Sequence, residues 1–347
     1  MFPNLLDLSK PALEAWLVDH GLKKFARTQI VQWLYQKRAK SFEEMSNLSK
    51  EARRLLGENF TIHYPEAAER HHSQVDRSTK YLFRLADGKG IESVLMPQKG
   101  RLTLCISSQV GCAMGCTFCR TAEMKLVRNL TQGEILGQIL AVQSELPPKE
   151  RISNIVMMGM GEPFHNYDTV IAALDIMTDD MAIGISRRKI TVSTVGLAPE
   201  IEKFAQDSKV KLALSLNATT EEGRKKLMPV TNKYSLERVI EACQKYAAHS
   251  KHKVTFEYVM LAGINDSMDD AKRLAQIGSH VPCKINLIPY NEYPSSPYRR
   301  PTEEKIQTFF KYLADKHFQV NIRYSKGLDV NGACGQLAVP CEANSDY

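Results

Sequence analysis

The 347-residue sequence has no apolar run approaching the roughly 20 residues that a membrane-spanning helix needs, which excludes a helical membrane protein. Its first stretch, MFPNLLDLSKPALEAWLVDHG, lacks a basic segment followed by an apolar block. No secretory signal is therefore expected, and a cytoplasmic location follows. Compositional bias is missing too: 43% hydrophobic and 24% charged residues exclude disorder and describe an ordinary globular chain. The length suits one large domain with a small companion.

What is present begins with eight cysteines, which in a long intracellular chain indicate metal, catalysis or plain burial before disulfides. Cys105, Cys112, Cys116 and Cys119 fall within fifteen positions; Cys243, Cys283, Cys334 and Cys341 are scattered. The net charge of +7 is also uneven. Between Lys23 and Arg54 nine basic residues face three acidic ones, so this segment carries six of the seven charges. Such an excess fits a phosphate-backbone partner, with a solvated helical face as the plain alternative.

Short helices are predicted across residues 1–65: one from Ser9 and Pro11, one through RTQIVQWLYQKR, one capped by Ser49. In residues 66–97, alternation around Asp87-Gly88 predicts a β-hairpin connector. From 98 to 330 strands alternate with helices: LTLCIS, ISNIVMMG, KITVSTV, VKLALSL, KVTFEYVM and KINLIP, with a capping box at Thr131 and Glu134. That pattern predicts parallel pairing and an α/β barrel, partial or complete, with a doubly wound open sheet as the alternative. Residues 331–347 form a C-terminal tail. In a parallel barrel the site lies at the C-terminal strand ends.

Cys112, Cys116 and Cys119 follow the first of these strands and so fall on that rim. Gly111 and Gly115 argue against three cysteines buried on a helix face, because glycine weakens helices and allows tight loops. Zinc normally completes four ligands, yet no fourth cysteine adjoins the triplet and the nearest downstream histidine, His165, is more than forty residues away. Three thiolates instead suit a [4Fe-4S] cluster with one open iron.

C-x3-C-x2-C after the first strand of an α/β barrel resembles the radical S-adenosylmethionine (SAM) superfamily, in which the open iron binds the SAM amino acid and a 5'-deoxyadenosyl radical is released. MMGMGEPFHNYD, TVSTVG, LSLNA, LMPVTNKY, INLIPYNEY and DVNGACGQL extend the match. Together they are similar to the RlmN and Cfr family of RNA adenine methyltransferases from about Glu92 to Leu337, and the basic helical N-terminus resembles that family's accessory domain. The fold implied is a radical SAM partial (βα)6 barrel with a small helical N-terminal accessory domain and a catalytic C-terminal tail. Gly161, Glu162, Ser193, Ser215, Leu216, Asn217 and Asn291 match its SAM-binding positions, all at the expected rim.

The resemblance also implies a mechanism. Cys334 accepts a methyl group from a first SAM, and the radical from a second SAM removes a hydrogen from that methyl. The carbon then bonds to adenine C2, which is too electron-poor for electrophilic methylation. Cys105 resolves the adduct through a transient disulfide with Cys334. Glu92 matches the proton acceptor, and alternation sets it among apolar neighbours that raise a carboxyl pKa. The implied partners are adenosine 2503 of 23S rRNA, adenosine 37 of tRNA and an electron donor such as flavodoxin, with the chain a monomer. Arg224 to Lys226 and Tyr298 to Arg300 are expected in RNA-facing loops. Asn217 stands where relatives often carry histidine. Arg120 and Lys125 beside the triplet, and Cys341 in the tail, have no assigned role. Cfr-like methylation at C8 and a non-catalytic metal-dependent RNA-binding protein are the alternatives.

Overall fold

The computed structural model of the chain describes residues 2–339. Its N-terminal module holds α1 (Lys10–Asp19), α2 (Ala26–Gln32) and α3 (Lys50–Asn59). Ser9 caps α1 by accepting from the Ala12 N–H, and Ser49 caps α3 by accepting from Ala52. After α2 the chain widens into one π-turn, Trp33–Lys37, which stops at Arg38 in left-handed backbone. The Lys37 ammonium lies 3.7 Å from the Trp33 ring centre.

The sheet begins with three antiparallel strands, β1 (Ala67–His72), β2 (Thr79–Arg84) and β3 (Gly90–Gln98). The predicted hairpin is β2–β3, but it is not a separate connector. Because β3 pairs antiparallel with β4 (Arg101–Cys105), the hairpin and the unpredicted β1 extend the barrel sheet. Next comes a short ribbon, β5 (Gln109–Val110) with β6 (Arg128–Asn129), which brackets the three-cysteine loop and α4 (Arg120–Glu123).

The remaining strands are β7 (Asn154–Met157), β8 (Ile190–Thr194), β9 (Lys211–Ser215), β10 (Val254–Met260), β11 (Cys283–Pro289) and β12 (Val320–Ile322). Helices connect them: α5 (Gln132–Glu145), α6 (Tyr167–Met177), α7 (Ala198–Asp207), α8 (Glu221–Leu227), α9 (Leu236–Ser250), α10 (Met268–Ser279) and α11 (Glu303–Asp315). From β4 onward every neighbour is parallel and follows chain order. No order reversal occurs, so the doubly wound alternative is excluded. The ten-stranded sheet ends at β1 and β12 without joining, which makes the barrel partial. β12 is a seventh parallel strand beyond the six read from the sequence.

The lumen is polar. Thr103, Asn154, Thr191, Thr255, Asn286 and Asn321 line an empty volume of about 1820 Å³, where a closed eight-stranded barrel carries branched apolar side chains. The helical module docks on the outside. Gln132 of α5 donates to the carbonyls of Leu6 and Leu8, both at 2.9 Å, and Lys10 reaches Asp175 and Asp179 at 3.0 and 2.9 Å. Among the described residues no helix is long and apolar enough to cross a membrane.

Candidate active site

The three-cysteine loop leaves the C-terminal end of β4. Gly111 sits at φ 74°, and a Cβ there would come within 1.6 Å of the Lys125 carbonyl oxygen, which accepts from the Cys112 N–H at 3.0 Å. Only glycine lets the loop close on itself here. Phe118, Met228, Leu261, Tyr290 and Tyr293 form an apolar cluster with Cys116. Burial pushes the Cys112 thiol up to about 12 and raises Cys116 and Cys119, with repulsion among the thiols adding to it. Such thiols lose their protons only to a positive centre.

Cys112, Cys116 and Cys119 line one cavity of about 950 Å³ empty volume, with Gly161, Glu162, Ser193, Ser215 and Asn217 along its wall. Among the described residues no three cysteine, histidine or carboxylate side chains converge to hold a single metal ion. Spaced thiols on a shared cavity fit a polynuclear cluster, which distributes its ligands over several irons, better than zinc.

The wall residues divide into those that face the cavity and those that hold it. Gly161, at φ 99°, has no room for a Cβ, which would meet Gln109 at 2.5 Å. Both Glu162 oxygens are engaged, by the N–H groups of Phe164 at 3.0 Å and Val195 at 2.9 Å; burial pushes this carboxyl up to about 7. Its side chain therefore pins the exit of β8. The Ser193 and Ser215 hydroxyls lie 3.5 Å apart on adjacent strand ends. Asn217, in left-handed backbone at φ 56°, accepts from Val259 N–H through its side-chain oxygen at 2.9 Å.

Leu216 and Asn291 do not line this cavity. Leu216 is fully buried, and its backbone bridges Glu257 and Arg224. Asn291 donates to the Cys334 carbonyl at 3.0 Å and to Ser325 Oγ at 2.9 Å, so it anchors the tail. The tail is bolted elsewhere as well. Arg120 N–H donates to the Gly335 carbonyl at 2.8 Å, Thr121 Oγ to that of Leu337 at 2.6 Å, and Gln336 to that of Glu292 at 2.8 Å. Arg120 thus holds the tail through its backbone, and Lys125 closes the cysteine loop through its carbonyl. Cys341 lies outside the described residues.

These bolts set Cys334 at the boundary of two spaces. Four residues, Met158, Glu257, Arg323 and Cys334, line both the cysteine-lined cavity and the lumen. Cys105 lines the lumen alone, and burial, with Cys334 nearby, pushes its thiol up to about 12 while Arg323 opposes the shift. Glu92 lines neither space. Its Oε1 pairs with Lys80 Nζ at 2.8 Å and its Oε2 accepts from the Ala338 N–H at 3.0 Å. Burial raises its pKa, as alternation suggested, and the lysine partner is the part that alternation could not supply.

Arg224 corrects an expectation. It is not an RNA-facing loop residue but is fully buried, donating to the carbonyls of Val195, Ser215 and Leu216 and to Thr231 Oγ. Lys225 and Lys226 are the exposed members of that run, paired with Glu221 and Glu222. Arg224 was named but misplaced, whereas Glu257 and Arg323, which carry no motif, were missed.

A parallel partial barrel with three cysteines after its first strand and a cofactor-sized cavity over the strand ends has the architecture of a radical SAM enzyme. Residues 106–275 match the radical SAM superfamily, and residues 3–62 match the ribosomal RNA large subunit methyltransferase N-terminal domain. A radical SAM methyltransferase from Sphaerobacter thermophilus superposes with a TM-score of 0.89 at 38% identity, covering 96% of this chain and 99% of that one. The dual-specificity RNA methyltransferase RlmN of Pelobacter propionicus is 50% identical over 337 residues, 96% of this chain and 95% of that protein. RlmN of Geobacter sulfurreducens is 50% identical over 336 residues, 96% and 91% of the two chains. The chain belongs to the RlmN family of radical SAM RNA methyltransferases. Membership brings a [4Fe-4S] cluster held by three cysteines, and SAM, as its cofactors.

Proposed function

We propose that the chain methylates C2 of adenosine 2503 in 23S rRNA and of adenosine 37 in tRNA through a methyl carried on Cys334. The observation that carries this reading is the position of Cys334, facing the cofactor cavity on one side and the polar lumen containing Cys105 on the other. Cys112, Cys116 and Cys119 would hold the cluster, with SAM along Gly161, Ser193, Ser215 and Asn217. Glu162, Leu216 and Asn291 act by holding that wall and the tail. When bound, the cluster and SAM supply the methyl group and a 5'-deoxyadenosyl radical.

The chain's own residues do the rest. Cys334 sulfur carries the carbon that bonds to C2, and the target base meets it from the lumen side, unstacked from its RNA. Glu92 is the proposed acceptor of the C2 proton once the adduct's unpaired electron has left, for which the bound cluster would be the one-electron acceptor, and reaching that role requires its hydrogen bond to Ala338 to open. Cys105 then attacks Cys334 sulfur: an S–S bond forms, the S–CH2 bond breaks with its electron pair on carbon, and that carbon takes a proton to become methyl. Residues 1–65 supply phosphate contacts. Lys37, Arg38 and Lys40 form no ion pair among the described residues and line a shared groove against α5. A one-electron donor such as flavodoxin, a cytoplasmic location and a monomeric state complete the proposal. Mass spectrometry of rRNA and tRNA from cells lacking the protein, with and without complementation, tests it: 2-methyladenosine should vanish from both RNAs and return. Unchanged 2-methyladenosine, or loss of 8-methyladenosine instead, overturns it.

A further inference from the structure

The boundary between the two spaces carries one group whose hydrogen bonding is incomplete. Glu257, on β10, is 5% exposed. Its Oε1 accepts from Asn286 Nδ2 at 2.9 Å, while its Oε2 is buried with no hydrogen-bond partner among the described residues. A buried carboxylate oxygen left without a donor is destabilising, and a ligand that supplies the donor removes that cost. The nearest cation is Arg323, whose Nη1 is 3.7 Å from that oxygen, beyond hydrogen-bond distance. Arg323 Nη1 also donates to Met158 Sδ at 3.4 Å, and Arg323 and Glu257 line this boundary together with Cys334. The boundary therefore presents a thiol, a donor and an acceptor side by side.

Adenine's Watson–Crick edge offers the complementary set: C2–H, then N1 as acceptor, then the 6-amino group as donor. Resting on the reading of Cys334 above, we propose that Glu257 and Arg323 read the target base along this edge. Glu257 Oε2 accepts from the 6-amino group, Arg323 donates to N1, and C2 is left facing Cys334. A base held this way presents C2 and not C8 to the sulfur. Guanine would set its N1–H against the guanidinium and its O6 against the carboxylate, and its 2-amino group would occupy the reacting carbon. Like meets like at the two recognition positions, so the pair selects for adenine as well as orienting it. Both residues recognise and position the base; neither takes part in bond making.

The test pairs a substrate change with a protein change. A tRNA carrying purine riboside at the target position lacks only the 6-amino group. The cluster-loaded wild type should methylate it about a hundred-fold less efficiently in kcat/KM than the adenosine tRNA. Glu257→Ala should lose a similar factor on adenosine and lose little more on purine riboside, because the partner is already gone; Glu257→Gln should fall between. Urea-unfolding midpoints and far-UV circular dichroism of the cluster-free variants check that they fold. Equal efficiency of the wild type on both RNAs overturns the recognition role and leaves the methyltransferase reading intact, as does a full additional loss in the variant. Failure of the wild type to methylate the adenosine tRNA and the 23S rRNA fragment overturns the methyltransferase reading itself.

Discussion

Replacing Arg224 by methionine should loosen the cofactor wall from a position with no route to the cofactor. The guanidinium is wholly buried, and burial holds its pKa down to about 10. Among the described residues it has no carboxylate ion pair and instead donates to Val195, Ser215 and Leu216 carbonyls, which close the ends of β8 and β9, and to Thr231 Oγ at 2.7 Å. Methionine fills most of the volume but leaves up to four buried acceptors without donors, at about 1–3 kcal/mol each. Relief from burying an unpaired charge offsets part of that sum. A net loss of about 3 kcal/mol follows, measured by urea unfolding of the cluster-free protein with an unchanged m-value. Arg224→Lys keeps the charge without the planar fork and should recover less than half. SAM binding should weaken in step, because Ser193 and Ser215 stand on the strands that Arg224 ties. A methionine variant within 1 kcal/mol of wild type, with unaltered SAM affinity, would refute the strut.

Three further outcomes are expected. Alanine at Lys37, Arg38 and Lys40 together should weaken RNA binding and flatten its dependence on salt, while cluster absorbance stays unchanged; the slope of log affinity against log salt decides it. Cys105→Ala should accumulate a nuclease-sensitive protein–RNA adduct on a denaturing gel, and the Cys105→Ala, Cys334→Ala double variant should show none, since the carrier sulfur is absent. Glu162 has a folded pKa raised to about 7 from 4.5, so the native state holds a proton that the unfolded chain releases. Its contribution to the stability of the cluster-free protein should fall as pH rises from about 4.5 to about 7 and level off above, by roughly 3 kcal/mol in all. Glu162→Gln should lack that sloping component in unfolding curves across the same range.

By itself the sequence determined whatever depends on near neighbours. Helix starts at Ser9, Ser49 and Thr131 were legible because a cap is a contact within three residues. The six parallel strands were legible because their apolar runs alternate with helices, and the cysteine loop because spacing and flanking glycines are local. Closure was not legible: β12 is a three-residue strand with too little pattern to register, and β1 reads AAERHH, whose burial is confined to Ala67. The site was half legible for the same reason. Residues on motifs could be named, but which of them face the cavity was decided by tertiary contacts across the chain. Ala338 occupies Glu92 from 246 positions away, and Asn291 turns to the Cys334 carbonyl across 43. Arg224 looked like a surface cation because a lone arginine in RKK carries no sign of the carbonyls that will surround it. Only the folded barrel sets Glu257 of β10, Arg323 after β12 and Cys334 of the tail on one boundary, because parallel strands bring to one rim residues that the chain keeps far apart.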